Sequence, residues 1–123
     1  MSEAPWHAHV YAGAGERDAA EALQRTLAGA DAVLFVGRLT EGRAGPHPIP
    51  QFEIHFLERD LPRIHPLLEA SGLRILLHPL THDDLADHTT LGQWIGEPLD
   101  LDLTTLDPPG LNQGLARFGR ADF

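Results

Sequence analysis

Two histidines stand two residues apart near the N-terminus, in Trp6-His7-Ala8-His9-Val10-Tyr11. The segment reads as a β-strand, and in a strand residues i and i+2 leave the same face. Both imidazoles therefore share one side of a sheet, with Ala8 and Val10 on the other. Two neutral imidazoles so placed can chelate a divalent metal. Either can also line an interface or bond a backbone carbonyl, and spacing alone does not separate these roles. His47 differs in kind, because the flanking prolines of Gly45-Pro46-His47-Pro48 restrict the backbone and present the ring in a near-fixed direction. A rigid imidazole suits a general acid or base, or a ligand, or a purely structural hairpin. His78-Pro79 and Thr81 to His88 bring three His and three Asp within eleven residues. There, Asp84 and Asp87 can hold imidazoles in orientation by accepting their outer N–H. Thr81, three residues before Asp84, reads as the cap of a short helical turn, Asp83 as part of its solvated acidic face, His65 as structural, His82 as exposed loop and Trp94 as packing.

Composition narrows the chemistry. The chain has 123 residues, no cysteine and eight histidines, so any metal must be held by His, Asp or Glu. A formal charge of −9 and scattered basic residues argue against nucleic-acid binding. No run approaches the roughly 18 apolar residues of a membrane span, and no basic leader precedes an apolar stretch. A soluble cytoplasmic protein is the expectation. Rival motifs fit poorly. Ala12-Gly13-Ala14-Gly15 does not continue into the Gly-Lys-Ser/Thr of a phosphate loop. Tyr11 and Ala12 stand where a metallo-β-lactamase motif needs other residues, and no Gly-x-Ser-x-Gly elbow is present.

The elements that must position these residues follow from periodicity. After the first strand, Glu16 to Ala28 reads as a helix with Ala19, Leu23 and Leu27 at helical spacing, stopped by Gly29. Ala32 to Leu39 and Gln51 to Phe56 read as strands, the latter with Phe52, Ile54 and Phe56 on the core face. Asp60 to Ser71 reads as a helix that is kinked at Pro66 or begins near it. Leu73 to His78 reads as a fourth strand. In Leu91 to Leu103, the alternation of Leu99, Leu101 and Leu103 with Asp100 and Asp102 suggests an edge strand. The order is β-α-β-β-α-β plus an extra hairpin, an α+β ferredoxin-like pattern. It predicts an antiparallel sheet with helices on one face, a C-terminal hairpin extension, and the first strand between the third and fourth. One domain is expected over residues 1–103, with a loose or partner-docked tail at 104–123. The open sheet face would carry His7 and His9, with His78 on one side and Glu53 and His55 on the other. Register is not fixed by sequence.

Several segments together resemble the DOPA 4,5-dioxygenase family. They are Trp6 to Tyr11, Val36-Gly37-Arg38-Leu39 leading into Gly45-Pro46-His47-Pro48, Leu77 to Thr81, Asp83 to His88, and Trp94-Ile95-Gly96-Glu97-Pro98-Leu99. The resemblance spans about residues 6–103, in order and at matching spacing. It implies a ferredoxin-like fold, usually dimeric, and extradiol cleavage of a catechol such as L-DOPA with O₂. His82, His55 and Glu53 depart from the pattern and are not credited with family chemistry. The chemistry implied needs a metal, with Fe(II) expected and zinc as an alternative occupant. His7, His9 and His78 are the expected ligands, with Glu53 or Asp84 as a possible carboxylate donor. His47 and His88 are together the candidates for the base and the acid, with neither role assigned to either, and Arg38 is the group expected to face a substrate carboxylate. Two other readings stay open: a hydrolase or isomerase using the same histidines, and a non-catalytic dimeric binding module.

Overall fold

A computed structural model describes residues 2–119. Its elements are β1 (Pro5–Tyr11), α1 (Arg17–Ala28), β2 (Val33–Val36), β3 (Gln51–Leu57), α2 (Leu61–Ala70), β4 (Ile75–Pro79), α3 (Asp84–His88), β5 (Gln93–Ile95) and α4 (Gln113–Arg117). The five strands form one antiparallel sheet in the order β2-β3-β1-β4-β5. The first strand is central, as the ferredoxin-like pattern requires.

Strand periodicity sorts the sheet into two unlike faces. Trp6, Ala8 and Val10 of β1 join Phe52, Ile54 and Phe56 of β3 and Ile75 and Leu77 of β4 in the apolar core. Leu23 and Leu27 of α1 and Ile64 and Leu68 of α2 complete it. Each such side chain contributes about 1.5–3 kcal/mol on burial. That is why α2 starts at Leu61 and contains Pro66 rather than beginning there. The two buried aliphatics offset the cost, about 3 kcal/mol, of a proline in a helix interior.

Two expectations change at the C-terminal end. The edge strand is β5, where Trp94 pairs with Leu76 of β4, and the Leu/Asp alternation after it forms no strand. Asp102 is used otherwise: its N–H donates to the Pro46 carbonyl at 2.9 Å, and its carboxylate caps the turn at Thr104. The segment from Thr104 to Gly119 is also not loose. Asn112 is buried and donates to the Thr81 carbonyl at 2.7 Å and the Asp87 carboxylate at 3.1 Å. This stretch folds back against the β4–α3 connection. The remainder of the expected tail, residues 120–123, lies outside the described residues.

Candidate metal centre and cavity

Register decides which side chains meet. His7 of β1 stands opposite His55 of β3 on one side and His78 of β4 on the other, so three imidazoles share one rung. His9, one rung along, stands opposite Glu53 and Leu76. All of these polar groups are buried, and with His47 and His88 they put six imidazoles on one face. His7 and His9 fall together there because β1 alternates strictly. His47 arrives from the Pro-rich loop, whose turn is closed by reciprocal backbone bonds between Ala44 and His47. His88 arrives on α3, a short helix whose N-terminus is capped by the Asp83 side chain rather than by Thr81.

The expected ligands are brought together: His7, His9 and His78 each offer a donor atom, all within 4.8 Å of one another. The Nε2 atoms of His9 and His78 are 2.9 Å apart. His78 Nδ1 donates to the Pro79 carbonyl at 2.7 Å, so the neutral ring presents a bare Nε2. His9 Nδ1 lies 3.0 Å from Gln51 Oε1, and donation to that oxygen leaves its Nε2 bare as well. Two lone pairs then face one another. The separation is close to the ~3 Å between adjacent nitrogens bound about 2.1 Å from one ion at a right angle. Ligand imidazoles characteristically donate their outer N–H to an oxygen in this way. Burial, then neighbouring imidazoles, hold His7 and His78 well below the ordinary histidine range. His9 is lowered by burial and by His47. Neutral rings are the ligand form, so the donor set fits a divalent metal.

His47 and His88 flank this trio. With His9 they form a second group of donors within 4.8 Å. The Tyr11 hydroxyl lies 2.7 Å from His47 Nδ1, and burial raises that phenol above its usual range. A donating hydroxyl leaves the His47 proton on Nε2. Burial, then His88 and His78, bring His47 down to about 3. His88 is set the opposite way: its Nδ1 donates to the Asp84 carbonyl at 2.9 Å and lies 3.3 Å from the Asp84 carboxylate, which leaves Nε2 bare. Burial pushes the Asp84 carboxyl up, but His88 and the Asp107 N–H outweigh it and the net shift is downward. Asp84 thus touches an imidazole. Asp87 does not act that way. Its oxygens accept from Thr81 and Asn112, and burial raises it.

The histidines line a cavity of about 330 Å³, a size suited to a small ligand. Its other wall comes from the segment after β5, including Thr105, Asn112 and Arg117. Arg117 and Arg38 are both exposed, but among the described residues Arg117 is the one Arg or Lys that lines the cavity, and Arg38, just after β2, does not. Sequence reasoning missed Gln51 and Tyr11, although strand parity puts them on the histidine face. It had no signal for Asn112 or Arg117. It gave His55 no role and kept Glu53 only as an alternative metal ligand, whereas the two form a buried pair at 2.6 Å beside His7.

Comparison with known proteins agrees with this picture. A family described as the Dopa 4,5-dioxygenase family matches residues 6–105. A DOPA 4,5-dioxygenase from Amanita muscaria is 32% identical over 111 residues, covering 82% of this chain and 49% of the relative. The chain therefore spans about half the length of that curated relative. A 1.46 Å crystal structure of a protein from Nostoc punctiforme, provisionally described as a dioxygenase, superposes with a TM-score of 0.78 at 35% identity, covering 83% of this chain and 90% of that one.

Proposed function

The chain belongs to the Dopa 4,5-dioxygenase family, and from that premise we propose that it is an extradiol dioxygenase that opens a catechol such as L-DOPA with O₂. The observation that carries the reading is the facing pair of His9 and His78 Nε2 atoms, each ring backed by an oxygen acceptor. His7, His9 and His78 would hold the ion. Ferrous iron is the metal that suits the chemistry, with zinc an alternative occupant. Bound there, iron would supply a redox centre able to bring catecholate and O₂ together. An all-histidine set is favoured because Glu53 is hydrogen-bonded to His55, and Asp84 to the Asp107 N–H and against His88.

The protein's own groups then divide the proton work. His88, with its Nε2 bare, takes a proton from a catechol hydroxyl. His88 returns that proton as the ring opens, and His47, neutral with its proton on Nε2, donates a hydrogen bond to the oxygen on which negative charge develops. Both oxygen atoms of O₂ end in the product, so no external reductant is needed. A substrate carboxylate would meet Arg117 at the cavity wall more readily than Arg38, which does not line the cavity. Burial of the six imidazoles keeps bulk water from competing for their nitrogens. A homodimer is the assembly the family resemblance favours. No helix among the described residues is long and apolar enough to cross a membrane.

The test is anaerobic reconstitution of the full chain with Fe(II), followed by L-DOPA or 4-methylcatechol and oxygenated buffer. One O₂ consumed per catechol and a yellow ring-opened product, both lost in His9→Ala, are expected. Tight metal binding with no turnover of any catechol would contradict the dioxygenase reading and favour a hydrolase, isomerase or binding module.

A further inference from the structure

The Glu53–His55 pair is buried in the sheet, yet the proton chemistry above does not use it. Its hydrogen bonds have a readable direction. The Gly119 N–H donates to His55 Nδ1 at 2.7 Å. A backbone N–H can only donate, so Nδ1 holds a lone pair and the proton of the neutral ring sits on Nε2. That N–H donates to Glu53 Oε2 at 2.6 Å. The same oxygen lies 3.7 Å from Nδ1 of His7. Rings reinforce the path: His7 and His55 stack at 4.2 Å, and Phe118 lies nearly parallel to both, 5.3 Å from His55 and 6.2 Å from His7.

His7, Glu53 and His55 could themselves be taken for a second metal group, since their donors lie within 4.8 Å. The bond directions argue otherwise. Both ring nitrogens of His55 already serve bonds, one as acceptor and one as donor, and an ion would have to break one of them. What remains is a support running from the C-terminal segment to an expected metal ligand. That segment also forms a wall of the cavity, through Asn112 and Arg117.

We propose that Glu53 and His55 are positioning residues that couple the seating of the C-terminal segment to the orientation of His7. Phe118 and Gly119 fix the His55 ring; His55 fixes the Glu53 carboxylate; and the carboxylate sets the His7 imidazole from behind. A carboxylate hydrogen-bonded behind a ligand imidazole is worth about 10–100-fold in metal affinity. The Glu53 oxygen, 3.7 Å from His7 Nδ1, lies just beyond hydrogen-bond range and acts on the ring through its charge, so that figure is the upper end of the effect expected here. Coupling of this kind is reciprocal. A seated segment strengthens metal binding, and bound metal steadies the segment. The inference rests on the metal-site reading above.

The experiment uses the full chain and Co(II) as the probe, with affinity read from the visible spectrum and amide hydrogen exchange read at Phe118 and Gly119. In the wild type, Co(II) is expected to bind and to slow exchange at those amides. His55→Phe keeps the stacked ring and removes both hydrogen bonds. It is expected to bind Co(II) more weakly, by up to about 100-fold, with the exchange response lost. Glu53→Gln is expected to weaken binding and shift the Co(II) spectrum, because the backing of His7 changes. Phe118→Ala leaves β3 intact, so it still reads the coupling should the β3 variants misfold; it is expected to weaken binding several-fold. Wild-type affinity in His55→Phe or Phe118→Ala, or exchange at 118–119 indifferent to Co(II), would overturn the coupling while leaving the metal reading standing. Failure of the wild type to bind Co(II) at all would overturn both.

Discussion

His7 stands between two neighbourhoods built from the same residue types. In one, His78 of β4 and His88 of α3 each turn one nitrogen back to a backbone carbonyl oxygen, His9 does so to the Gln51 side chain at the start of β3, and all three keep the other nitrogen forward. In the other, within β3, His55 has both nitrogens used, one by Gly119 and one by Glu53. Burial is equal on the two sides, so burial does not distinguish chemistry from support. The partner of the second nitrogen does. An imidazole backed by a carbonyl and bare in front is a ligand or a base. One satisfied at both ends is a structural relay.

The contrast breaks most sharply where a forward nitrogen is removed. His9→Ala or His78→Ala is expected to weaken divalent-metal binding by more than about 100-fold, beyond the effect of losing a backing group, and to abolish turnover; equilibrium metal titration checks this. A cut on the opposite sheet face reverses the pattern. Ile54→Ala, in the apolar core, is expected to cost about 2–5 kcal/mol of stability in denaturant unfolding while the folded fraction still binds metal. His47→Leu tests hydrogen-bond donation to the reacting oxygen separately from binding. It is expected to lower kcat by about 10²–10³-fold with metal affinity kept, and rapid-mixing kinetics on metal-loaded protein would show whether the split holds.

pH sharpens the comparison further. Burial holds His47 at about 3, and His7, His9 and His78 well below 6.5, so these rings stay neutral in the fold and take protons on unfolding. The unfolded chain then binds more protons below pH 6.5, and stability falls as pH falls. For His47 the loss runs from about 6.5 down to about 3, with a slope of about 1.4 kcal/mol per pH unit for each proton. Thermal melts of the metal-free protein between pH 8 and 4 should show it, and His47→Gln should flatten the slope by one proton. The smallest expected effect concerns substrate. Arg117→Met should raise KM for a carboxylate-bearing catechol about tenfold, the order of one charge-assisted hydrogen bond, with little change for 4-methylcatechol. A larger rise in Arg38→Met would return the role to Arg38.

Much of this was legible in the sequence because strand parity is a hard constraint. His7 and His9 had to share a face, and the β-α-β-β-α-β order placed β1 between β3 and β4, bringing His78 alongside. The Pro-flanked His47 and the capped helix ending at His88 also carried local signals. What was not legible came from long-range contacts. Nothing local marks Asn112 as a partner of Thr81 and Asp87, or Arg117 as part of the cavity wall. Asp87 looked like a support for an imidazole, but its oxygens serve Thr81 and Asn112 instead. Glu53 and His55 were given no family role because they depart from the family pattern, and Glu53 was kept only as an alternative metal ligand. Their role depends on Gly119, 64 residues further along the chain from His55.

The most direct measurement is a crystal structure of the metal-loaded protein with anomalous diffraction collected at the metal's absorption edge. One anomalous peak is predicted, bonded to His7, His9 and His78 at about 2.0–2.1 Å for zinc, with His55 and Glu53 still paired to each other. A peak bonded to His55 or Glu53, or no peak on the histidine face, would contradict the division of this face into ligands and support.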